Sequence, residues 1–439
     1  MTRTHDLRAP LSLLLVGTLA LPAAATGGDL LAIRVGRAET ISDGTLEHAV
    51  ILVEGGKIAA IGQDLPIERG IQVLDRPGWT VMPGLVHPYS RMGLDGRGGA
   101  GFDPEVVPTG ELYPLDPVYG DLLERGVTTL GLYPAGNNVP GQAIVVRPHG
   151  DEREEMLISE GAYLKIEFRS DARSKKTIRD AFAKVDDYIE KEKKAREKWE
   201  SEVEKSKKKK KDDDKKDDKK DEKKDESSKD KTAADDGEKK DEGPGPYVPP
   251  EVEPKVKPFM DLREGKLRAL VGLDSASDYL HWLDAIGEEE FAWDLRVPMV
   301  RYLDLYEVAD KLGERKVRLL LEPEITLQPS TLRQRNLPAE LVGAGARLAL
   351  LPRSDSLGSV ETWLTSVGVI VSAGLDRQVG LRSVTLEAAE VLGMAERVGS
   401  LEVGKDANLI FFDGDPLQPA SRLRAVMLEG EFVMGEVNN

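Results

Sequence analysis

The sequence predicts an α/β fold, a (β/α)8 TIM-like barrel, with the two ends of the chain meeting beside it. Three observations lead there. The middle alternates short apolar runs with helical patterns, which argues for a parallel sheet covered by helices. Both ends are β-rich, and the termini of a domain tend to lie close together. The 439 residues leave about 240 ordered residues for the middle, the size of such a barrel.

The first 25 residues read as an export signal. Arg3 and Arg8 give a positive start, Leu11 to Leu21 form a short apolar run, and Ala23-Ala24-Ala25 offers a small-residue cleavage site. The run is shorter than the about 20 residues that cross a bilayer. The mature chain is therefore expected to be secreted or periplasmic, with no membrane contact after cleavage.

Residues 29–83 read as the first β-rich unit. Leu30 to Val35, Ala49 to Val53 and Ile58 to Ile61 are strand-like, with Asp43-Gly44 and Glu54-Gly55-Gly56-Lys57 as turns. Trp79 to Met82 adds a strand, closed by Pro83-Gly84.

The barrel is expected over residues 84–398. Strand candidates are Gly126 to Tyr133, Ala143 to Val146, Val297 to Tyr302, Val317 to Leu321, Leu348 to Leu351, and a weaker run ending at Val371. Leu305, Val308, Ala309 and Leu312 share one face of a helix. Leu341 and Val342 belong to another helix, ending at Gly343 or Gly345, and Ser383 to Leu392 to a third, ended by Gly393.

Ile178 to Val203 look helical and increasingly charged, and residues 190–258 interrupt the barrel pattern. From Ser206 to Glu242 nearly every residue is Lys, Asp or Glu, and a Pro-rich stretch follows. Such a segment buries too little apolar surface to offset its ordering entropy and is expected to be a disordered insertion. Residues 399–437 form the second β-rich unit, with Ala407 to Phe412, Leu423 to Leu428 and Phe432 to Met434 as strands.

Composition excludes several function classes. The formal net charge is −17, which argues against non-specific nucleic-acid binding. There is no cysteine, so disulfides, cysteine zinc sites and thiol nucleophiles are absent. No Gly-x-Ser-x-Gly elbow appears, and the loop Gly136 to Gln142 lacks the Lys-Ser/Thr of a phosphate loop.

Two motifs carry a resemblance: Pro83-Gly84-Leu85-Val86 after a strand, and Gly399-Ser400-Leu401-Glu402-Val403-Gly404-Lys405-Asp406-Ala407-Asn408-Leu409 near the end. They resemble the amidohydrolase superfamily, in particular imidazolonepropionase-like metal-dependent hydrolases. Glu54 to Gly62 is similar to that family's N-terminal hairpin, and Val384 to Gly393 to its penultimate helix. The resemblance implies that the two ends form a small composite β-sandwich beside the barrel. It also implies divalent metal at the C-terminal end of the barrel strands, lowering the pKa of bound water.

This chain departs from the family at the metal site. The His-x-His ligand pair that follows strand 1 falls on Tyr89 and Arg91, and a guanidinium cannot be deprotonated to ligate. Gly272, in Leu270 to Asp278, occupies the next ligand position. The histidines are His5, His48, His87, His149 and His281, and no pair has ligand spacing. His87 is a candidate ligand, but it sits two residues before the family's pair, at the family's aspartate position. Asp355 has two readings, a match to the family's general-base aspartate and a plain turn residue. Lys165 could be a carboxylated bridging lysine only with metal present. Tyr89, Arg91, Gly272 and Asp274 are expected to line the former site.

The resemblance therefore implies an exported pseudoenzyme that keeps a binding or partner role. Its partner would be a small-molecule ligand or an active paralogue, or a second copy in a homo-oligomer, with no cofactor. The alternative is an active hydrolase of carbon–nitrogen bonds, of the cyclic-amide kind, using zinc or another divalent metal in a non-standard site of His87, Asp355 and other carboxylates.

Overall fold

A computed structural model describes residues 30–96, 101–217, 245–298, 301–328 and 330–435. The expected signal segment, 1–25, and residues 218–244 of the charged insertion lie outside them. Among the described residues no helix is long and apolar enough to cross a membrane.

The two ends of the chain build one sheet. Its strands are β1 (Leu31–Glu39), β2 (Thr45–Glu54), β3 (Lys57–Gln63) and β4 (Gln72–Pro83) from the N-terminal side. The second sheet takes β5 (Leu85–Ser90), β6 (Val127–Leu132), β7 (Gly141–Val146), β8 (Leu157–Glu167), β9 (Ala269–Gly272), β10 (Trp293–Arg296) and β11 (Arg318–Leu321). A short ribbon pairs β12 (Thr326–Leu327) with β13 (Gln334–Arg335), and β14 (Arg347–Leu350) completes the second sheet. β15 (Leu409–Phe412), β16 (Leu423–Leu428) and β17 (Glu431–Met434) return to the first.

The first sheet has the order β17-β16-β15-β4-β1-β2-β3, so it is one continuous hydrogen-bonded sheet. β4 joins the chain ends: it runs parallel to β1 and antiparallel to β15, with Leu409 opposite Pro83. Ile33, Ile51, Leu74, Val81, Phe411 and Met427 are among the residues that bury together as its own core. The family's Gly-Lys-Asp-Ala-Asn run locks this unit. Ala407 N–H donates to Gly56 O, and Asp406 binds both Lys57 and Arg397.

The second sheet has the order β14-β11-β10-β9-β8-β7-β6-β5. Seven strands follow the barrel direction, but β7 is antiparallel to both β6 and β8. Eight parallel strands were expected. The difference follows from loop length, since a parallel connection needs a crossover of a dozen or more residues. The links from Leu132 to Gly141 and from Val146 to Leu157 are too short for one and make hairpins.

The edges β5 and β14 are not hydrogen-bonded to each other. Instead the helices Arg377–Ser383 and Leu386–Val391 fill the gap, and Val86 N–H donates to Val384 O at 3.1 Å. Ala388, Ala389 and Val391 bury with Val86, Tyr163, Leu270, Leu320 and Ala349 inside the curl. The sheet is thus a curled, helix-plugged barrel.

Three further expectations are corrected. The run ending at Val371 is the helix Trp363–Ser372, because Trp363, Val367 and Ile370 recur at helical spacing on its buried face. The strand expected at 297–302 is β10, four residues earlier, because Trp293 to Arg296 supply the paired backbone. Disorder across 190–258 does not hold for 190–217, which continue the helix Ala172–Asp217, nor for 245–258. Ile178, Phe182 and Val185 anchor that helix in the core. The returning chain braces it, with Trp199 donating to Gly245 O at 2.8 Å and Tyr188 to Pro250 O at 3.0 Å. Pairs such as Glu190–Lys194 and Glu192–Arg196 add the i,i+4 support a charged helix needs.

Candidate functional site

The site lies at the C-terminal end of the parallel strands, where active sites of such barrels sit. Side chains on β8 alternate, so Tyr163, Lys165 and Glu167 share one face. Tyr163 is fully buried and donates to Pro88 O at 3.0 Å, fastening β8 to the bend in β5. Lys165 comes next, 5% exposed, with Nζ 3.0 Å from Glu167 Oε1 and 4.2 Å from the Tyr133 ring centre.

Tyr89, on β5, stacks on Tyr133 with ring centres 4.0 Å apart. Arg296, at the end of β10, stands 5.5 Å over Tyr89 and pairs with Glu322, which follows β11. Burial pushes the Tyr89 phenol well above its ordinary pKa. Burial likewise lowers the Lys165 ammonium, and the Arg91 and Arg296 guanidiniums add to this while Glu167 opposes it.

A cavity of about 320 Å³ opens above these groups, lined by Tyr89, Glu167, Gly272, Asp274 and Arg296, with Arg169 at its rim. Gly272 is glycine for a visible reason. A Cβ there would come within 2.4 Å of Glu167 Oε2, so the carboxylate occupies the space a side chain would need.

The other residues predicted from the sequence gather beside the cavity, around Ser90. Asp355 accepts from Ser90 Oγ at 2.6 Å and from Arg91 N–H at 2.7 Å. His87 Nε2 is 3.6 Å from Asp355 Oδ1, too long for a hydrogen bond, and the imidazole packs on Trp363. Burial works against the Asp355 charge, but His87, the Ser90 hydroxyl and the Arg91 N–H outweigh it and hold its pKa low. Arg91 is not a lining residue. Its guanidinium donates to Tyr133 O and Gly96 O, each at 2.8 Å, and braces the loop after β5.

The histidines do not converge. His48 lies on β2, His149 in the loop after β7 beside Glu429, and His281 on the helix Ala276–Ile286. Among the described residues no three His, Asp or Glu side chains cluster as metal ligands. The donor set is the stronger argument. The basic side chains of Arg296, in the cavity lining, and Lys165, paired with Glu167, oppose a dication there, so the family's divalent metal does not fit these residues.

Residues 310–436 match the amidohydrolase family model. An amidohydrolase structure from Thermotoga maritima MSB8 is similar, with a TM-score of 0.71 and 21% identity, over 92% of this chain and 100% of that one. A β-aspartyl dipeptidase from Fervidobacterium islandicum AW-1, in complex with β-Asp-Leu dipeptide, gives 0.50 and 15%, over 94% and 98%. A prolidase complexed with N-methylphosphonate-L-proline gives 0.50 and 15%, over 93% and 100%. No curated protein sequence matches the chain. At these identities the structures speak for the fold. The family match covers residues 310–436, and over nearly the whole chain the fold is that of amidohydrolase structures.

Lys165 was visible in the sequence only as a residue that needs metal; Glu167, Tyr133, Arg296 and Glu322 were not singled out. The available signal was Lys165-Ile166-Glu167 in alternation at a strand end, which puts two opposite charges on one inward face.

Proposed function

We propose that this protein is an exported, metal-site-degenerate member of the superfamily that binds a small molecule at the barrel mouth and does not hydrolyse it through a metal. The observation that carries this reading is the Lys165–Glu167 pair, set beside Arg296 in the space of the family's metal ligands. The Arg296 guanidinium, which is always charged, supplies positive charge in the cavity lining without an ion.

The rival reading, an active hydrolase built on His87 and Asp355, draws on their 3.6 Å approach. It is weakened by the 2% exposure of His87 and by the engagement of both Asp355 oxygens. The test is turnover of dipeptides and cyclic amides by the mature chain with zinc or manganese supplied. The proposal expects rates equal to buffer, together with thermal stabilisation by some compounds of a small-molecule set. Metal-dependent turnover that His87→Ala abolishes would establish the rival. Export is tested separately, by the N-terminal sequence of protein recovered outside the cytoplasm.

A further inference from the structure

The barrel mouth also carries a nucleophile that binding alone does not use. Two lysines among the described residues are buried, Lys165 and Lys405. Lys405 is spent on the first sheet, donating to Ser400 and pairing with Glu402. Lys165 instead holds its Nζ 3.0 Å from Glu167, a carboxylate that lines the cavity.

We propose that Lys165 is an amine nucleophile that forms a reversible imine with a small oxo acid entering this cavity. The inference rests on the reading that the mouth binds small molecules without metal.

The geometry supplies each part. The groups facing Lys165 are Glu167 on its own strand, Tyr89 and Arg91 from β5 and the loop after it, Tyr133 after β6, and Arg296 on β10. A lysine is nucleophilic only when neutral, and desolvation beside other cations is what favours the neutral amine. Lys165 has both: a buried aromatic setting, and the guanidiniums of Arg91 and Arg296. Arg296 also answers the acid group of the ligand. Its Nε is a buried donor with no partner, and guanidinium suits a carboxylate.

The chemistry balances without an oxidant or a metal. Glu167 takes a proton from the Lys165 ammonium. The free amine adds to the carbonyl carbon, a C–N bond forms, and the proton moves from nitrogen to the former carbonyl oxygen. Glu167 then returns its proton to that hydroxyl, which leaves as water while the nitrogen lone pair closes the C=N bond. The product is a protonated imine, and the positive charge is conserved.

The test uses the full mature chain with pyruvate or glyoxylate and cyanoborohydride, followed by peptide mapping by mass spectrometry. Binding of the same oxo acids is measured in parallel by equilibrium dialysis without reductant. The proposal expects a reduced adduct at Lys165 forming at least about tenfold faster than at the exposed Lys57. Lys165→Arg, which keeps the charge, removes that adduct and leaves surface labelling unchanged. Glu167→Gln slows its formation. Oxo-acid binding with labelling confined to exposed lysines overturns the imine and leaves the binding reading standing. Neither binding nor an adduct overturns the imine and counts against the small-molecule reading as well.

Discussion

Replacing Arg318 with methionine tests what holds the curled sheet shut. Arg318 sits on β11 with 3% exposure, at the opposite end of the strands from the cavity. Its guanidinium reaches Asp294 at 3.1 Å, Glu387 at 2.9 Å and Glu390 at 2.5 Å. Asp294 belongs to β10, while the two glutamates belong to the helix that plugs the gap between β14 and β5. This one side chain therefore ties the sheet to its plug. Methionine keeps most of the volume and removes the charge. Asp294 retains Arg268 at 3.3 Å, and Glu387 retains Arg347 and Arg382, so the acids keep some partners. Removing one partner of a buried ion pair costs about 3–5 kcal/mol, and the remaining arginines put the expected loss near about 3 kcal/mol.

The loss should also depend on pH. Burial already raises the pKa of Asp294, against the pull of Arg318 and Arg268, and removing Arg318 raises it further. An acid raised in the folded state destabilises fully above its folded pKa and not at all below its unfolded one. The deficit of Arg318→Met is therefore complete at neutral pH and shrinks as the pH falls into the carboxylate range. Urea unfolding followed by the fluorescence of Trp282, Trp293 and Trp363 reads both effects. A loss below about 1 kcal/mol, or one that does not change with pH, would refute this account of the floor.

Three other perturbations probe the site and the insertion. Asp355→Asn removes a carboxyl whose pKa is held low, which contributes stability above the ordinary Asp range that is lost as the pH falls through its folded pKa; the melting temperature of the variant should fall less steeply in acid than that of the parent. Gly272→Ala drives a methyl into the Glu167 carboxylate and should cost about 1–3 kcal/mol, largely recovered in a Gly272→Ala/Glu167→Ala double variant by urea unfolding. Trp199→Ala frees the returning chain at Gly245 and should speed limited proteolysis between residues 190 and 250 while leaving the melting of the body unchanged.

Much of this molecule was legible in the sequence, for identifiable reasons. β6, β7, β11 and β14 each carry a short, mostly apolar run, as strands buried on both faces do, and they were found where they lie. The meeting of the chain ends followed from two β-rich segments and the closing Gly-Lys-Asp-Ala-Asn motif. Strand direction was not legible, because the direction of β7 depends on the length of its flanking loops and not on its own residues. The Trp363–Ser372 helix was missed because a short apolar run fits strand or helix equally well. Ile178 to Val203 read as helical; the helix's run on to Asp217 was not legible, because a stretch of Lys, Asp and Glu has the composition of a disordered segment, and the bracing of Tyr188 and Trp199 by the distant 245–250 segment leaves no local sign.

At the site, the sequence located the gap but not its filling. Tyr89 and Gly272 marked the positions where ligands are absent. That Lys165, Glu167 and Arg296 converge there is a property of three strands and their register. Arg91 was expected in the cavity and instead braces a loop, because Tyr133 O and Gly96 O lie within its reach.

The measurement that tests the central claim most directly is metal content, by elemental mass spectrometry on mature protein purified without chelator and then offered zinc, manganese and iron. A site with Arg296 and Lys165 in place of a ligand set predicts less than about a tenth of an equivalent of any of them, since metal hydrolysis needs a held ion. Near-stoichiometric metal that is lost on His87→Ala or Asp355→Ala would contradict the account and return the protein to the active hydrolases.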